Sequence, residues 1–135
     1  MNLETDLPLL LPHAIEWANR QAAVVALHGL PLTPALEAVA RHVGVKRPEY
    51  IRFGVVDQLP FPEHPLLQAA AIQTGLLGPS MDGLTLGYAV FIRRGRETSV
   101  QLISHELRHV RQYEAAGSIS SFLPIYLQSV IAYGY

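Results

Sequence analysis

Residues 105–109 read His-Glu-Leu-Arg-His, an H-E-x-x-H run inside a segment of helical pattern. Residues four apart on a helix share one face, about 40° apart around the axis, so His105 and His109 can grip one Zn²⁺ ion from the same side. Glu106, about 100° round from His105, reaches that side and can take a proton from a water activated by the metal. The chemistry this trio points to is metal-assisted hydrolysis, with His105 and His109 as metal ligands and Glu106 as catalytic base. The bland alternative is a solvated helix face that holds two histidines and a glutamate by chance. Helix phasing favours the metal.

That helix needs a start, a packed face and a stop. Thr98 or Ser99 can cap its first N–H groups, and Gly117 after Ala115-Ala116 is a natural end. Val100, Ile103, Leu107 and Val110 recur at helical spacing and form an apolar stripe, with the two histidines roughly opposite it. Leu102, Glu106, Gln112 and Tyr113 share or flank the histidine face. Residues 84–93, L-T-L-G-Y-A-V-F-I-R, read as a strand that enters the helix after a short turn at Arg94-Gly95. Its free edge is the natural place for an extended peptide to pair, if the metal site is real. Upstream, the pattern predicts a helix over 12–28, a second opened by Thr33-Pro34, a strand over 49–57 and a helix over 66–77 ending near Gly78-Pro79. A last helix spans about 118–132. The sum is one α+β domain over 1–135, a small antiparallel or mixed sheet with four to five helices.

A hydrolytic zinc site needs a third protein ligand. Downstream of His109 the one acidic side chain is Glu114, which on a continuing helix points about 180° away from His105. Gln112 is on the correct face, but a neutral amide is a poor zinc ligand. Upstream stand Asp57, Glu63, His64 and Asp82, none with a spacing that singles it out. The remaining histidines, His13, His28 and His42, have no ligand spacing to one another. Arg108 and Arg111 sit on one flank of this helix and can pair with acidic neighbours or hold a substrate carboxylate.

Composition narrows the classes. Hydrophobic residues make up 50% of the chain and charged residues 16%, with a net charge of −1, so no basic footprint points to nucleic acid. There is no cysteine, so a metal here must be held by nitrogen and oxygen. The opening M-N-L-E-T-D-L-P-L-L-L-P is acidic and broken by prolines, unlike a signal peptide, which leaves a cytoplasmic protein as the default expectation. Residues 118–135 carry no charged side chain, yet Pro124, Gln128 and several serines interrupt them. A buried helix, or one that pairs with a second copy in a homodimer, fits better than a membrane span.

The runs T-L-G-Y-A-V-F-I-R-R-G (85–95) and L-I-S-H-E-L-R-H-V-R-Q-Y-E-A-A-G-S-I (102–119) resemble a family of small bacterial zincin-like HExxH proteins of metallopeptidase type and mostly unassigned function. The resemblance extends from V-V-D-Q-L-P (55–60) through F-L-P-I-Y-L (122–127). It implies a zincin-like fold, a Zn²⁺ cofactor and a peptide or protein substrate. It also implies a third-ligand glutamate in a segment following Tyr135, so that residues 1–135 are either a domain shortened at its C-terminus or a member that lacks this ligand. Two other classes stay open beside the peptidase: a metal-binding but non-hydrolytic protein, and an interaction module with a degenerate site.

Overall fold

Ala89-Val90-Phe91-Ile92 is an unbroken apolar run, the pattern of a strand buried on both faces. In the computed structural model, which describes residues 2–77 and 81–134, it forms β3 (Ala89–Arg93), the middle of a three-stranded mixed sheet. β1 (Arg52–Val56) runs parallel to it on one side, and β2 (Gly83–Leu86) antiparallel on the other. Side chains of β3 alternate between two cores. Val90 and Ile92 join Ile51, Ile103, Leu107 and Val110, beneath α2 (Pro34–His42) and α4 (Val100–Ala116). Ala89 and Phe91 meet Ala18, Val25, Tyr113 and Leu123, where α1 (Leu3–His28) and α5 (Ile119–Tyr133) close the opposite face. With α3 (Pro65–Thr74) set against α1, the described residues make an α+β fold of five α-helices and one small mixed sheet.

The motif helix forms where its phasing placed it. Ser99 caps it, accepting the Leu102 N–H at 3.3 Å, and Gly117 ends it at a φ of 102° that a residue with a Cβ rarely adopts. Ile103, Leu107 and Val110 are buried. Truncating Leu107, which has no exposed surface, would cost about 2–5 kcal/mol. Val100 departs from the expected stripe and is 60% exposed, because it occupies the first helical position and the core begins at Ile103. The chain then bends by 119° into α5, so the uncharged terminal helix lies across α1 and not in line with α4. Among the described residues no single helix is long and apolar enough to cross a membrane.

Three expected elements need correction. The strand expected over 84–93 is a hairpin, β2 and β3, reversed at Gly87-Tyr88. Gly87 has a φ of 67°, the conformation wanted at the first central position of a two-residue hairpin turn. The helix expected over 12–28 begins at Leu3, capped by Asn2 with Glu4 and Asp6 in its first turn. Pro8 and Pro12 lie inside it and leave the Glu4 and Pro8 carbonyls without helical donors. Both prolines are exposed, so water meets those carbonyls, while Leu10 on the other side is buried and holds the turn. α3 stops at Thr74, where Gly75 takes a φ of 76°; the expected stop at Gly78-Pro79 lies outside the described residues.

Candidate metal centre

The histidines of the motif stand together on the outer face of α4, His105 exposed and His109 half-buried. Their Nε2 atoms are 3.2 Å apart and their rings are nearly perpendicular, at 88°. Two nitrogens bound to one tetrahedral Zn²⁺ at 2.0–2.1 Å stand about 3.3 Å apart, so the pair already has the spacing of one edge of such a site. Gln112 Oε1 lies 2.8 Å from His109 Nδ1. An amide oxygen can only accept, so Nδ1 carries the hydrogen and Nε2 presents its lone pair. Gln112, weak as a ligand itself, sets the tautomer and ring angle of His109. The Tyr126 ring of α5 backs His109, with centroids 5.5 Å apart.

Glu106 is turned inward and only 3% exposed. β2 holds it: Thr85 Oγ1 lies 2.8 Å from Oε1 and 3.1 Å from the Glu106 carbonyl oxygen. Gly83 leaves room for the other carboxylate oxygen, since a Cβ there would come within 2.9 Å of Oε2. Burial pushes the Glu106 carboxyl above the usual carboxylate range, against the Thr85 hydrogen bond and the charges of His109 and His105, which pull it down. A carboxylate so poised is a better proton acceptor than a solvated one. In the hairpin register Asp82 and Arg93 share a backbone hydrogen bond, so by alternation Gly83 and Thr85 direct theirs away from β3.

Two cavities meet at Glu106. One, of about 130 Å³, is apolar and lies between α1, α3, β2 and α5, with Glu106 and His109 in its wall. The other, of about 610 Å³, is polar and holds His105, Arg96 and Arg108. Met81, Gly83 and Glu106 belong to both.

None of the candidate third ligands joins the histidine pair. Glu114 accepts the N–H groups of Lys46 and Arg47 and the Tyr88 hydroxyl, on the far side of α4. Asp57 pairs with Arg94 at 2.7 Å. His64 caps α3 through Nδ1 and packs on His13. Glu63, next to it, is exposed in the same loop. Asp82 does share the polar cavity with His105, but its carboxylate lies between Arg93 and Arg96, at 3.7 and 3.6 Å. Among the described residues no group of three or more His, Cys, Asp or Glu side chains is placed to hold one ion. The two arginines of α4 part company: Arg108 lines the polar cavity, whereas Arg111 packs over Gly44 at the end of α2. Thr85 and Gly83, which position Glu106, carry no sequence signal that ties them to α4. Trp17 of α1 lines the apolar cavity.

Comparison with models of protein families, with curated proteins and with solved structures finds no match for this chain.

Proposed function

We propose that this domain is a zinc-dependent peptidase of the zincin-like kind that its H-E-L-R-H segment resembles. What carries the reading is one juxtaposition: two imidazole nitrogens at the spacing of a tetrahedral zinc edge, beside a buried carboxylate at the meeting of two cavities. His105 and His109 would hold the ion, which supplies Lewis acidity toward a scissile carbonyl and acidifies a water. Glu106 takes the proton of the attacking water and passes it to the leaving nitrogen. Thr85 and Gly83 keep its carboxyl in place.

The test is zinc content and chelator-sensitive peptide hydrolysis, compared between the unaltered chain and Glu106→Gln. We expect zinc to stay bound to E106Q while the rate falls by about 10²–10⁴-fold, the usual contribution of a positioned acid–base group. Equal rates in both proteins would defeat the assignment of Glu106. A second reading, metal binding without hydrolysis, is favoured by the ligand set, since two imidazoles hold zinc more loosely than three ligands. Stoichiometric zinc with no cleavage of any peptide would establish it. Absence of zinc binding would leave an interaction module.

A further inference from the structure

We infer that the site takes a short ligand in which an apolar side chain adjoins a free carboxylate, the side chain entering the apolar cavity and the carboxylate resting on Arg108. This rests on the peptidase reading for the chemistry that follows, but the binding it describes does not depend on turnover.

Size and lining define the apolar arm. An engineered apolar cavity of about 150 Å³ accepts one benzene, so about 130 Å³ accommodates a single branched aliphatic or phenyl group and excludes a long acyl chain. Leu7 and Trp17 of α1, Leu67 of α3, Leu84 of β2 and Leu123 and Leu127 of α5 wall it. Glu106 and His109 supply its polar end. An apolar group placed there displaces water from beside the carboxylate that the proposed chemistry uses.

Charge defines the other arm. The polar cavity has Arg96, Arg108 and His105 in its wall, against Asp82 and the inward Glu106. Asp82 already meets Arg96, and Arg93 as well. Arg108 is exposed and, among the described residues, makes no ion pair, so its guanidinium is left to meet an anion from outside. It stands three positions after His105, one turn along the same face, about 4.5 Å further along the axis. A guanidinium offers a planar fork that a carboxylate fills with two parallel hydrogen bonds. A neutral amide in the same place has one acceptor and no charge.

Gly83 joins the arms. Both cavities include it and Glu106, whose carboxylate occupies the space a Cβ on Gly83 would fill, so the two arms meet across that carboxylate. A ligand crossing there has its apolar group and its anion on adjacent units of the chain. For a peptidase this describes cleavage close to a free C-terminus, with an apolar residue beside the reacting bond.

Trp17 is the single tryptophan and lies in the cavity wall, so its fluorescence reports entry of the apolar arm without any need for hydrolysis. The experiment titrates the zinc-treated full chain with an acetylated dipeptide ending in leucine, as the free acid and as the C-terminal amide, and with the alanine analogue of the acid. The leucine acid should shift Trp17 emission saturably and bind at least tenfold more tightly than the amide or the alanine acid. Arg108→Gln should bring acid and amide together, and Arg108→Lys should restore part of the gap, which a merely misfolded variant could not do. Equal binding of acid and amide, a gap that survives Arg108→Gln, or no binding of either peptide overturns the inference. Cleavage with no acid preference overturns it while leaving the peptidase reading intact. Acid-selective binding without cleavage upholds it and removes that reading.

Discussion

Glu106 and Glu114 lie eight residues apart on α4, and the fold treats them in opposite ways. Glu114 is fed by three donors, the Lys46 N–H at 2.7 Å, the Arg47 N–H at 3.0 Å and the Tyr88 hydroxyl at 2.7 Å. Burial pushes its carboxyl up, but these donors and the Lys46 charge outweigh it and hold the group below the usual range. Glu106 is more deeply buried, receives one side-chain donor, and is pushed up. A carboxylate with its lone pairs filled is a fixed structural anion that ties α4 to the loop before β1. One left undersupplied at a cavity wall is free to exchange a proton. The difference lies in donor supply more than in depth.

The largest break in that comparison should come from Glu114→Ala. It strands two backbone N–H groups and a half-buried tyrosine hydroxyl, and we expect a loss of about 2 kcal/mol in urea unfolding at pH 7, allowing for the partial exposure of the site. Because the folded-state pKa is depressed, the stability that Glu114 contributes is present above the usual carboxylate pKa. It fades as pH falls through the lower folded value. The gap between variant and parent should therefore close in acid; a gap constant down to pH 2 would refute the ionic account.

Glu106→Gln should act with the opposite sign on stability. A carboxyl with a raised folded pKa favours the folded state only while protonated, so ionisation works against folding as pH rises through that range. The amide keeps the Thr85 hydrogen bond and has no charge to bury. We expect the zinc-free variant to melt a few degrees higher than the parent above pH 7, with the difference shrinking toward pH 4. A lower melting temperature at pH 8 would show that Glu106 is better solvated than its burial indicates.

Thr85→Val sharpens the comparison at smaller scale. Removing the one side-chain donor to Glu106 should lower stability by about 1 kcal/mol and move the acid limb of any hydrolysis profile to higher pH. An unmoved limb would separate Thr85 from the ionisation of Glu106.

Much of this fold was legible because helix period and cap chemistry are local. Ser99, Gly117 and the Ile103-Leu107-Val110 stripe specify α4 without reference to the rest of the chain, and Thr33-Pro34 does the same for α2. Gly87 was misread because apolar residues on either side imitate one continuous strand, and only its φ of 67° marks the reversal. Pro8 and Pro12 misled because their cost depends on which side of the helix faces water, which sequence does not state. The motif residues announced themselves by spacing, and the rejection of Glu114 as a ligand followed from phase alone. Its actual partners did not: Lys46, Arg47 and Tyr88 are brought to it from 26 to 68 residues away by tertiary packing. The same holds for Thr85 and Gly83 beside Glu106, and for the cavities, whose walls come from four or more elements.

The two prolines in α1 also set a timescale. Leu3, Leu7 and Leu10 form one wall of the apolar cavity, yet they belong to a stretch whose carbonyl ladder is interrupted twice. Amides of β3 and of the middle of α4 should exchange with deuterium only through global unfolding, whereas those of residues 4–11 should exchange through local fraying at far lower free energy. The cavity then opens by the breathing of one helical end, many times for each excursion of the whole molecule, with α4 held still beside it.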